Sequence, residues 1–157
     1  MRILGIDPGT GILGFGVIDA QPGGKARMVE AGVIRTPSTE TDSQRLLTIY
    51  NELELIINEH KPTIMSVEKL FFAQNVTTAM TVSQARGVVL LLGEKNNMEL
   101  FEFTPLQIKQ ALTGYGRADK KQIQEMVKIL LNLKQVPKPD DCADALAAAL
   151  TCSITVR

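Results

Sequence analysis

The chain opens on three short apolar runs, and the way they are joined limits the possible folds more than any other feature. Arg2–Asp7 is apolar and ends in an acid, Leu13–Ala20 alternates glycine with apolar residues, and Ala26–Arg35 continues as a third strand candidate. Pro22-Gly23-Gly24 supplies a turn between the second run and the third, so the expectation is a three-strand antiparallel meander. Then the period changes. Asp42–His60 carries Leu46, Ile49, Tyr50, Leu53, Ile56 and Ile57 at helical spacing, Thr63–Glu68 reads as a buried fourth strand, Thr77–Lys95 as a long helix and Glu99–Phe103 as a fifth strand. Two more helices are marked at their starts. Thr104-Pro105-Leu106-Gln107 combines a cap, a first-turn proline and a capping-box glutamine, and Asp119-Lys120-Lys121-Gln122 repeats the logic ahead of core-facing Ile123, Met126, Val127, Leu130 and Leu131. A last helix starts near Asp140, after the stiff connector Val136-Pro137-Lys138-Pro139. The order predicts an α/β fold with a mixed five-stranded sheet flanked by α-helices.

At 157 residues the chain suits one domain, able to bury roughly 70% of its unfolded surface without a staple. Cys142 and Cys152 lie in alanine-rich sequence without metal-ligand spacing, and are expected to be reduced core thiols of a cytoplasmic protein. No apolar run is read as approaching the roughly 18 residues of a membrane span, and no signal-peptide pattern opens the chain. His60 ends a helical segment and is read as a C-terminal helix residue, where a cation is favoured.

Zero net charge argues on its face against a nucleic-acid binder, but the charges are unevenly spread. Thr104 to Lys138 carries seven bases (Lys109, Arg117, Lys120, Lys121, Lys128, Lys134, Lys138) against two acids, whereas the first sixty residues are net negative by three. A neutral protein can therefore present a positive face.

Gly9-Thr10-Gly11-Ile12-Leu13-Gly14 matches the dinucleotide fingerprint literally. That motif must open a helix, whereas here it runs into a strand, so the glycines are expected to serve a tight hairpin. The acid-then-glycine loop of actin-like ATPases is a sharper rival, but those folds need two copies of a domain that fits here once. The acids carry more. Asp7 closes the first strand and Glu68 the fourth, while Asp140, Asp141 and Asp144 open the last helix. Taken singly, each suits a turn, a strand end or a helix cap. Together they permit a cluster of hard oxygen ligands suited to magnesium or manganese, since converging carboxylates without a cation repel one another. Paired metal ions in such a site ionise a water and stabilise a leaving oxygen.

Ile3-Leu4-Gly5-Ile6-Asp7-Pro8-Gly9-Thr10, Val67-Glu68-Lys69-Leu70-Phe71-Phe72, Gln84-Ala85-Arg86-Gly87, Gly114-Tyr115-Gly116-Arg117-Ala118-Asp119-Lys120 and Asp141-Cys142-Ala143-Asp144-Ala145-Leu146 occur in that order. Together they resemble RuvC, the family of bacterial Holliday junction resolvases, over residues 1 to about 151. The resemblance implies an RNase H-like fold and a homodimer making paired symmetric nicks across four-way junction DNA during recombination and repair. It also implies partnership with the RuvA–RuvB branch-migration complex. Carried over by position, the family's metal-binding and catalytic acids fall on Asp7, Glu68, Asp141 and Asp144. Magnesium is the implied cofactor, with manganese as a substitute. Phe71 takes the place of an aromatic that wedges against junction bases, and Lys109 and Lys120 those of lysines touching the DNA backbone; Arg117, within a matching motif, is a further candidate DNA contact. Gln84 to Gly87 are assigned to packing or to the dimer interface. Some family members carry histidine where Asp141 stands, and Asp140 is an extra acid read here as a helix cap.

Overall fold

A computed structural model of the chain describes residues 1–21, 24–69 and 76–156. The opening meander forms as expected: β1 (Arg2–Asp7) pairs antiparallel with β2 (Ile12–Ala20), and β2 with β3 (Ala26–Arg35). Pro22 and Gly23 of the expected turn lie outside the described residues, while Gly24 takes a φ of 81° that suits glycine. Helix α1 (Asp42–His60) leads to β4 (Ile64–Glu68), and α2 (Val76–Lys95) leads to β5 (Glu99–Phe103). β4 lies parallel to both β1 and β5, giving a mixed sheet of order β3-β2-β1-β4-β5. Three helices complete the described chain: α3 (Pro105–Thr113), α4 (Lys120–Leu130) and α5 (Asp140–Thr155). This is the RNase H-like arrangement that the resemblance implies.

Period two along the strands sorts the core into two halves. Leu4 and Ile6 of β1 join Met65 and Val67 of β4 on one face, under Ile49, Leu53 and Ile57 of α1 and Ala85, Val89 and Leu92 of α2. Ile3 and Ile18 face the other way, toward Ile108 and Leu112 of α3, Ile123 and Val127 of α4, and the alanine-rich α5. Asp7 and Glu68 fall on this second face, in step with Ile3 and Ile64. Helix α5 lies directly on the sheet there because the strands beneath it carry glycine. A Cβ at Gly5 would stand 2.0 Å from the Ala145 carbonyl oxygen, and one at Gly14 2.0 Å from that of Asp141. Ser66 then ties β4 to the helix by donating to the Ala148 carbonyl at 2.7 Å.

Two expectations need correction. The glycine run Gly9–Gly14 serves more than a hairpin, since its last member is what admits α5 to the sheet. The run-length reading also missed that α2, at 20 residues, is long and apolar enough to cross a membrane by length and composition. In the fold its Ala79, Ala85, Val89, Leu92 and Gly93 are buried, and its Arg86 pairs with Glu102 of β5.

Candidate active site

β1 and β4 run parallel side by side, so their C-terminal ends meet at one edge of the sheet. Asp7 follows Ile6 and Glu68 follows Val67, the last residues in register, which sets the two acids next to each other. In the antiparallel direction Asp7 lies opposite Gly14, and Gly14 abuts the Asp141 backbone of α5. The first turn of α5 is thereby brought over the ends of β1 and β4, and Asp144, three residues on, shares the face of Asp141. All four acids that the resemblance singled out come together.

The electrostatics carry the mark of crowding. Burial, then the negative charges of Glu68, Asp144 and Asp141, push the Asp7 carboxyl up to about 8. Burial and the charge of Asp144 push Glu68 up to about 7, against the opposing pull of Lys120 and Lys109. Asp144 is raised by burial too, with Lys120 drawing it down and Asp141 and Asp140 adding to the rise. Carboxylates held in this way gain from a divalent cation, and an all-oxygen donor set from four acids fits magnesium or manganese.

The groove beside the acids has a volume of about 240 Å³ and is lined by Glu68, Lys109, Lys120 and Asp144, among others. Lys109 sits half-buried on α3, and Lys120 opens α4. The Lys120 ammonium lies 3.3 Å from Asp140 and 3.6 Å from Asp144. Burial works against its charge, but the two aspartates more than compensate and raise its pKa. Arg117 is exposed in the turn between α3 and α4, outside the groove lining. Phe71 lies outside the described residues.

Asp140 is not the cap expected of it. Pro139 holds the N-cap position of α5, and no side chain there accepts a capping bond. The Asp140 carboxylate is turned toward α4, accepting from Gln124 Nε2 at 3.1 Å as well as from Lys120. Sequence reasoning missed this because α4 and α5 are separated by a connector that period and spacing do not orient. It also missed the bracing of the loop after Asp7, where Thr10 donates to the Thr81 carbonyl of α2 and accepts, through its own carbonyl, from Thr36. Arg45 of α1 then donates to the Thr36 hydroxyl at 2.8 Å.

A tighter group of potential metal donors than the four acids lies at the other end of β1. Glu30, Glu59 and His60 bring ligand atoms within 4.8 Å of one another. His60 is hydrogen-bonded to Glu30, and the Arg2 guanidinium donates to the His60 carbonyl at 2.9 Å. His60 thus ends its helix as expected, with an acid for a partner. The two thiols are free and buried, and burial raises the pKa of both, that of Cys152 to about 12, so neither is activated.

The model of the family described as crossover junction endodeoxyribonuclease RuvC matches residues 3–152. The RuvC of Alkaliphilus oremlandii is 56% identical over 150 residues, covering 96% of this chain and 91% of its own. That of Brevibacillus brevis is 55% identical over 151 residues, covering 96% and 90%. The fold superposes with a TM-score of 0.95 on Thermus thermophilus RuvC solved in complex with Holliday junction substrate, at 35% identity and covering 100% of this chain and 95% of that one. With its five motifs in order, its mixed sheet and its acids gathered at one sheet edge, this chain belongs to the RuvC family of crossover junction endodeoxyribonucleases.

Proposed function

We propose that this chain is a Holliday junction resolvase, a magnesium-dependent endonuclease that works as a homodimer in the cytoplasm and makes paired symmetric nicks in four-way DNA junctions. The convergence of Asp7, Glu68, Asp141 and Asp144 beside Lys109 and Lys120 carries this reading. The four acids would hold the metal. Bound there, magnesium or manganese supplies the charge that keeps the carboxylates ionised, activates water and steadies the leaving oxygen. The chain's own residues do the rest. β1, β4 and α5 fix the acids on rigid elements, so little reorganisation is needed when a phosphate arrives. Lys109 and Lys120 put positive charge on the groove wall, where a DNA phosphate is drawn toward the acids. Water adding to the phosphorus displaces one ester oxygen, and the strand is cut. Phe71 and Arg117 are proposed to contact junction bases and backbone.

The homodimer reading has its own support. Val76, Met80 and Leu91 are 74%, 61% and 60% exposed on α2, and a Cβ at Gly87 would meet nothing within 4 Å. A second copy laid against this stripe would bury it and set two sites symmetrically, as a two-fold junction requires. Partnership with RuvA–RuvB follows from the family and belongs to the same proposal.

The test is a cleavage assay on four-way junction, linear duplex and RNA–DNA hybrid, with and without magnesium. Junction cutting in paired positions, dependent on the metal, is the expected result. Preferential cutting of the hybrid would assign the chain to a different nuclease activity on the same fold.

A further inference from the structure

The geometry points to Asp140 as a positioning residue that holds Lys120 at the rim of the acid cluster, an inference that rests on the nuclease reading above. Asp140 and Asp144 are four apart on α5 and so share a face, with the Lys120 ammonium bridging them at 3.3 and 3.6 Å. Asp140 does not belong to the cluster itself. The charges acting on Asp7 come from Glu68, Asp144 and Asp141, whereas Asp140 adds to the charge felt by Asp144 but not by Asp7, and its side chain is 58% exposed. Its two oxygens are divided between two donors of α4. Gln124 Nε2 holds Oδ1, and Lys120 approaches Oδ2. Gln124 is one turn beyond Lys120, so one face of α4 grips one carboxylate. The backbone at Lys120 is itself fixed, because the preceding Asp119 and Gln122 form a reciprocal capping box at 2.8 Å in each direction.

A lysine is a point charge on a flexible four-carbon stem, and its free rotamers are lost when it must sit in one place. Asp140 supplies that place. It also matters that Lys120 has a partner other than Asp144. An ammonium left with Asp144 alone would compete with a cation for a metal-binding acid; shared with Asp140, it stays beside the groove, available to a phosphate oxygen. Asp140 therefore acts through Lys120 rather than as a metal-holding acid.

The test is a double-mutant cycle on single-turnover junction cleavage with magnesium, using Asp140→Asn, Lys120→Ala and the pair. Asp140→Asn removes an acid near the DNA path, which by itself favours binding, so slower cutting would not reflect weaker affinity. The expected loss is roughly threefold to tenfold in rate, the lower part of the coupling seen between groups in contact, as suits an exposed ion pair. Junction affinity should be unchanged or tighter, and the urea midpoint close to wild type because the site is exposed. The pair should cut no more slowly than Lys120→Ala alone, and Asp140→Glu should recover most of the rate. Wild-type cutting by Asp140→Asn, or losses that multiply in the pair, would overturn the positioning role alone. Failure of the wild-type chain to cut any junction would overturn the nuclease reading and this inference with it.

Discussion

At the scale of single residues, the carboxylates at the sheet edge are held where they repel. Asp7, Glu68, Asp141 and Asp144 sit on rigid elements, and two of them are pushed to about 8 and about 7. Asp7→Asn, Glu68→Gln, Asp141→Asn and Asp144→Asn should each nearly abolish cutting while junction binding survives. Neutralising one charge should leave the metal-free protein as stable or more so, read from urea midpoints. The pH dependence has a defined sign. An acid whose folded pKa lies above its unfolded value of about 4 keeps its proton longer in the native state. Stability of the chelator-treated protein should therefore fall as pH rises from about 5, at about 1.4 kcal/mol per pH unit for each acid, until about 7 for Glu68 and about 8 for Asp7. Asp7→Asn should flatten that slope, and thermal melts across this range check it. A melting point that rises with pH would contradict the crowding. Lys109→Ala and Lys120→Ala should each lower the salt dependence of junction binding by roughly one counterion, measured by titration at several salt concentrations. None of this was legible from the acids one by one, because each also suits a turn, a strand end or a helix start. Only their order within family motifs singled them out. Asp140 and Asp141 both share the face of Asp144 by spacing; the family motif set Asp141 apart, and the placement of α4 gives Asp140 its partners.

At the scale of elements, period and punctuation carried the reading far. The boundaries of β1, β3, α1 and β5 follow the change between period two and period 3.6, and the capping boxes at Thr104 and Asp119 form as their residues suggest. What period does not reveal is which element lies on which. Helix α5 approaches the sheet through glycine, and its nearness sets where Asp141 and Asp144 stand. Gly14→Ala should therefore act on the site as well as on the core, because the new methyl would meet the Asp141 carbonyl at 2.0 Å. The expected cost is about 1–3 kcal/mol in denaturant unfolding, as overpacking gives. Cutting should fall more than the lost stability explains, measured where the variant is fully folded. A destabilised variant with normal cutting would show that α5 tolerates displacement. The apolar side of α2 posed the opposite difficulty, since its pattern mixes buried and exposed positions so evenly that neither a core stripe nor a contact face stood out.

At the scale of the whole molecule, one acidic sheet edge and one exposed helix face are proposed to serve a symmetric substrate. Two cuts in a four-way junction want two identical sites, and the stripe on α2 offers the surface for a second copy. Leu91→Asp should shift the protein from dimer to monomer in light scattering while leaving its far-ultraviolet circular dichroism unchanged, since the side chain is 60% exposed. A dimer unaffected by this change would place the interface elsewhere. The resemblance implied such assembly, but the surface that could support it emerged only when α1 and the sheet had covered the other side of the helix. The central claim is that four acids at one edge of the sheet form a metal-dependent site for cutting branched DNA. Its most direct test is single-turnover cleavage of a four-way junction by the wild-type chain and Asp144→Asn, with magnesium and with chelator. Paired nicks by the wild type with magnesium alone, and none by Asp144→Asn despite retained binding, is the predicted result. Cutting that persists in chelator, or in Asp144→Asn at the wild-type rate, would contradict it.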